Sequence, residues 1–294
     1  MAVTHRRAVL MMIVVTLMWS IAGVVTRHLE AARSFEVTFW RSAFNAVALL
    51  GLLLWWRGPS VLLRSLRDGG VTLWLSGLCW CVMFTAFMVA ITLTTVANVL
   101  VTMAIAPLLT ALVARVALGH RLASRTWIAI IVAGIGIAWM YAREVSGSDP
   151  RHLLGTAVAL GVPIAAAINW TVIQHNRGAA DQDLLPAVLV GAVISALLTL
   201  PLSMPFAAST HDLGLLALLG VFQLAIPCLM SVAAARALSA PEVSLLALLE
   251  VVFGVAWAWW GAGEAPSAHV LGGGALVLAA LAVNEALALR QRGG

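Results

Sequence analysis

A glutamate, Glu250, sits halfway along a predominantly apolar run from Pro241 to Trp260. A carboxyl at that depth lines a cavity, where it meets a substrate or a proton, or serves as a hydrogen-bonded structural group. Arg41 stands about one helical turn into the run from Val37 to Trp56. It can meet a substrate carboxylate, or extend its stem and return its charge to the membrane surface. Asn98, Thr102, Asn169, Thr171 and Gln223 lie inside other apolar runs. Such groups suit the amino and carboxyl ends of a zwitterion, and serve equally to bridge helices at about 1 kcal/mol or less each. Trp19 and Trp80 fall near mid-run, with Met83, Phe84, Phe87 and Met88 following Trp80 and Met103 in the next run. This soft apolar surface fits varied side chains, aromatic ones included, and is also ordinary helix packing. Enzyme chemistry has little to stand on: there is no His-Glu-x-x-His pair, no phosphate-cradling glycine loop ending in lysine, and no aspartate pair within the runs.

The elements that must position these residues are ten apolar runs, separated by short segments that hold nearly all the charge. They are Ala8 to Val25, Val37 to Trp56, Val71 to Ala90, Val96 to Leu118, Thr126 to Ala142, Leu153 to Ile173, Leu184 to Leu202, Leu213 to Ala234, Pro241 to Trp260 and Val270 to Leu289. Runs of about 20 residues match the hydrocarbon thickness of a bilayer. Hydrophobic residues make up 62% and charged residues 10%, and mean hydropathy is +1.02, whereas soluble domains carry about 25% charge. The chain therefore reads as an all-α polytopic membrane protein with no soluble domain.

Every one of the 17 positive residues is arginine. With the N-terminus on the cytoplasmic side, twelve arginines fall in inner segments and four, Arg27, Arg33, Arg143 and Arg151, in outer ones. Both termini are thus expected to face the cytoplasm. The basic balance then reflects topology and contact with anionic lipid rather than nucleic acid. His5-Arg6-Arg7 before the first run imitates a secretory signal, but nine more runs follow and the first is expected to stay. Cys79, Cys81 and Cys228 fall within runs and show no disulfide or metal-ligand spacing. Trp55, Trp56, Trp74, Trp127, Trp139, Trp259 and Trp260 sit near run ends, as an interfacial belt requires. Pro107, Pro163 and Pro227 interrupt runs four, six and eight, as packing kinks or as hinges of a cavity wall.

The chain also repeats weakly. At an offset of 144 residues Ala90 to Gly119 lies on Ala234 to Gly263, matching Val99 with Val243 and Ala114 with Ala258, and setting Ala106-Pro107 against Glu250-Val251. An offset of 147 aligns Val25 with Val172 and His28 with His175. Both divide the runs five and five, giving units of residues 1–147 and 148–294. An odd number of helices inverts the second copy, and inverted repeats flank a midplane substrate site in secondary transporters.

Trp19-Ser20, Thr94 to Asn98 leading to Ala106-Pro107, Gly119 with Arg121-Leu122, Ala237-Leu238 leading to Glu250, and Gly261 to Glu264 together resemble the EamA-type transporters of the drug/metabolite transporter superfamily. His120 and Val251 depart from that pattern, standing where glutamate and proline are common. The resemblance covers essentially the whole chain. It implies ten transmembrane helices in two inverted five-helix repeats, no cofactor, and alternating access. The Trp-Ser pair is most similar to bacterial amino-acid exporters, including the aromatic amino-acid branch, which implies export of small neutral amino acids across the inner membrane. Export of drugs or other metabolites is the alternative on the same fold, and a channel or receptor a more distant one.

On this reading helices one, three, four, six, eight and nine form the cavity. Trp19, Ser20, Trp80, Met83, Asn98, Met103, Asn169 and Glu250 are expected to line it, with Pro107 as hinge. Glu250 leaves proton coupling and facilitated transport both open. Gly134, Gly136 and Gly272 to Gly274 allow helices five and ten a close approach to neighbours; in the family those helices are associated with dimer contacts, and nothing in the sequence requires a homodimer.

Overall fold

The computed structural model describes residues 4–32, 34–94, 96–119, 122–141, 150–176, 183–262 and 267–292. Every described element is a helix. Among the described residues, eight helical segments are long and apolar enough to cross a membrane: His5–Thr26, Phe35–Arg57, Gly70–Leu93, Val99–Leu118, Leu153–His175, Leu185–Ser203, Thr210–Ala235 and Ala240–Trp257. Two more, Ser124–Met140 and Ala268–Asn284, are apolar but shorter by that measure, and they correspond to the fifth and tenth expected spans.

Four segments are not single helices. The first divides into α1 (His5–Trp19) and α2 (Ala22–Thr26) at Ser20 and Ile21. After α3 (Ser34–Arg57) comes a short helix, α4 (Pro59–Asp68), where the sequence reading had only a connection. Gly58 reverses the chain at φ 78° and Pro59 starts α4. Leu62 and Leu66 turn inward while Arg64 and Arg67 remain exposed, so the helix is amphipathic and too short to span.

Following α5 (Gly70–Leu93), the fourth span divides into α6 (Val96–Met103) and α7 (Ala106–Leu118). Pro107 has no N–H to offer the carbonyl of Met103, so the helix ends there and restarts through Ala104 and Ile105. Next come α8 (Ser124–Tyr141), α9 (Pro150–His175), α10 (Leu185–Ser203) and α11 (Thr210–Leu218). A π-helical turn, Leu219–Ala225, joins α11 to α12 (Ile226–Ala235). Pro227 follows immediately, and the N–H of Ile226 reaches back to Val221. The ninth span divides into α13 (Ala240–Ala247) and α14 (Leu249–Ala262), and α15 (Ala268–Arg292) completes the chain. The break in the ninth span occurs at Leu248 without any proline. It falls 144 residues after the break at Ala104, the same offset that the sequence repeat shows.

Two buried carboxylates bind the connections at one end of the bundle. Glu36 accepts from the N–H groups of Ala207 (3.0 Å) and Ala208 (2.8 Å). Asp212 accepts from those of Glu30 (2.8 Å), Ala31 (3.0 Å), Ala32 (2.9 Å) and Ser209 (3.3 Å). Each acid thus caps the connection belonging to the other's helix. At the opposite end His5 faces Glu242 at 3.6 Å, Arg57 pairs with Asp183 at 3.3 Å, and the Gln174 side chain accepts from the N–H of Ala240.

Close approaches set the interior spacing. A side chain at Gly191 of α10 would collide with Trp80 on α5, and one at Gly220 in the π turn with Phe44 and Asn45 on α3. Gly136 of α8 and Gly273 of α15 meet backbone to backbone. Those two glycines are therefore used within the chain, one helix against the other.

Candidate functional site

A cavity of about 130 Å³ lies midway along the helices, roomy enough for a small solute, since one water needs only about 10–15 Å³ on this measure. Its walls come from α1, α3, α5, α6, α7, α9, the π turn, α12, α13 and α14. Of the residues expected to line it, Trp19, Trp80, Met83, Met103 and Glu250 stand on the wall.

Ser20 and Asn169 are placed differently. Ser20 sits in the break between α1 and α2, where its hydroxyl donates to Leu17 O (2.7 Å) and accepts from Trp257 Nε1 (3.0 Å). Its role is to hold an interrupted helix against α14. Asn169 is fully buried between α5 and α9, accepting from Ser76 Oγ at 2.6 Å, and is not on the wall. The wall positions of α9 are Val162, Pro163, Ala166 and Trp170, whereas the Asn169 carbonyl oxygen is spent on Ser76 of α5. Asn98 belongs to α6, but its side chain lies outside the described residues. Pro107 is buried at the start of α7.

Arg41 turns inward. It is 2% exposed, lines the cavity, and donates from Nη2 to Phe84 O at 3.0 Å. Its depth in the run left both directions open; the helix's rotation against α5 and the π turn decides between them. Arg41 and Glu250 interact electrostatically across the cavity, with Cys228 beside both. Neither takes part in the ion pairs described above.

The aromatic surface is continuous. Trp80 meets Trp170 edge to face at 5.7 Å and Phe84 at 5.5 Å. Met83, Phe87 and Met103 extend it. Trp170 was absent from the sequence reading, although it follows Asn169 directly and lies one turn from the end of the same expected span. Gln223 donates from Nε2 to Trp19 O at 3.3 Å. Its place on the wall depends on the π turn, which changes helical phase there. Among the described residues no cluster of three His, Cys, Asp or Glu side chains is arranged to hold a metal ion.

Comparison with known proteins agrees with this architecture. The EamA-like transporter family matches residues 6–142 and again residues 153–285. A crystal structure described only as that of a protein shares the fold with a TM-score of 0.81, covering 97% of this chain and 99% of that one at 18% identity. No curated protein matches the chain.

Proposed function

The chain belongs to the EamA-like transporter family, and from that premise we propose that it exports small neutral amino acids, aromatic ones among them, by alternating access. Membership makes it an integral membrane transporter of small solutes. The finer reading rests on one observation: an arginine and a glutamate share an aromatic, methionine-lined cavity midway along the helices. A neutral solute carrying both charges fits such a wall better than an anion or a sugar phosphate, which would call for a cluster of cations.

In this reading ten helices form two inverted repeats, residues 1–147 and 148–294. The matching interruptions at Ala104 and Leu248 support it, because discontinuous helices at corresponding positions flank the substrate in transporters built this way. The halves rock about the cavity, with Pro107 and the interruption before it as one hinge. Both termini face the cytoplasm of a bacterial inner membrane, in keeping with the arginine distribution. Glu250 is the carboxyl on which coupling to protons would fall.

Purified protein in liposomes tests this by counterflow of labelled amino acids, with and without a pH gradient. Exchange of phenylalanine and leucine well above that of protein-free liposomes is expected. Silence toward all neutral amino acids, with uptake of a lipophilic dye, would instead establish the drug-export alternative that the apolar wall also suits.

A further inference from the structure

We infer that the cavity grips both ends of one zwitterion: Arg41 and Trp80 donate to its carboxylate, while Gln223, Ser244 and Glu250 accept from its ammonium. This deepens the amino-acid reading above and rests on it.

The argument starts from polar atoms that the fold leaves open. Arg41 Nε, Trp80 Nε1, Gln223 Oε1 and Ser244 Oγ are buried and have no hydrogen-bond partner among the described residues, and all four side chains line this cavity. Each belongs to a residue at most 4% exposed. Buried polar groups in folded proteins are almost always satisfied, so four exceptions on one wall require a reason. Asn45 and Asn169 also carry unpartnered atoms, but away from the wall.

Ser244 is the most telling. Hydroxyls within helices usually bond back to a carbonyl one turn earlier. Thr110, Thr171, Thr199 and Ser203 do so here, with Oγ to carbonyl distances of 2.7 to 2.8 Å. Ser244 does not, although it lies in the regular helix α13.

The open atoms sort by chemistry and by origin. Arg41 and Trp80 can only donate and come from α3 and α5. Gln223 Oε1 and the Glu250 carboxyl accept, and Ser244 can do either; these come from the π turn, α14 and α13. The Arg41 fork spends Nη2 on Phe84 O and keeps Nε free. In an amino acid the ammonium and carboxylate hang from a single carbon, so both poles of its site must be close together. Arg41 and Glu250 are near enough to interact while remaining apart. The side chain of the solute then rests on Met83, Phe84, Met103 and Trp170.

A site of this kind rejects analogues lacking one end, because they leave buried polar groups unpaired. The test is competition against labelled phenylalanine counterflow in wild-type proteoliposomes, using phenethylamine, which lacks the carboxylate, and 3-phenylpropionate, which lacks the ammonium. Each is expected to compete at least tenfold less well than phenylalanine. Thermal shift of the purified protein should show the same order. Trp80→Phe keeps an aromatic side chain but deletes the indole donor; phenylalanine binding should weaken about fivefold more than phenethylamine binding does. Equal competition by either analogue overturns this inference and leaves amino-acid transport standing. Phenylalanine that neither exchanges nor shifts the melting temperature overturns both.

Discussion

Two pairs of charged groups inside the bundle behave in opposite ways. Glu36 and Asp212, 1% and 0% exposed, have their oxygens taken up by backbone N–H groups of the neighbouring connections. Arg41 is buried as deeply, yet has one open nitrogen, and Glu250, half-buried, lines the same cavity. Burial alone therefore does not separate Arg41 from the first pair. Accounting for partners does: the first pair is consumed in holding loops, and the second is available to something that comes and goes.

That contrast can be broken by substitution, reading apparent melting temperature in detergent beside counterflow. Asp212→Ala should have the largest effect on stability, about 3 kcal/mol, since it leaves four backbone N–H groups without their acceptor. Glu36→Ala removes the acceptor for two and should cost about 2 kcal/mol. A melting temperature unchanged by both would show that water replaces these carboxylates and that the contrast is not energetic. Glu250→Gln should alter stability by no more than about 1 kcal/mol, because no partner is lost, yet reduce amino-acid counterflow at least tenfold. Wild-type counterflow from that variant would remove Glu250 from the site. Ser244→Ala should be smallest of all, within about 0.5 kcal/mol and tending to stabilise, since an unpaired hydroxyl leaves the interior. A loss above about 1 kcal/mol would mean that its hydroxyl has a structural partner.

Much of this was legible in the sequence because bilayer thickness imposes a length that composition reveals. The runs predicted as Val37 to Trp56 and Leu184 to Leu202 become α3 and α10 with shifts of three residues or fewer. Trp19, Trp80, Met83, Met103 and Glu250, chosen for their depth in the runs, line one cavity. Rotation was not legible. In a helix that is apolar all round, nothing in the pattern tells which side a polar residue faces. Asn169 was therefore assigned to the cavity although it faces Ser76, and Arg41 was left between two directions. The break at Leu248 carries no proline or glycine and arises from packing beyond local sequence. Ser20 looked like a ligand because it neighbours a tryptophan, and its use in joining two helix pieces depends on Trp257, 237 residues away.

The glycine contact between α8 and α15 carries a consequence for biosynthesis. Gly136 and Gly273 are far apart in the chain, and α15 emerges from the ribosome long after α8. Until then α8 presents its glycine face to lipid, a surface fitted to another backbone and poorly fitted to acyl chains. Closure of this contact must wait for α15, as it does wherever contacts join distant parts of a chain. A nascent chain halted before Ala268 holds an unsealed groove, and is the species that membrane quality control should remove first.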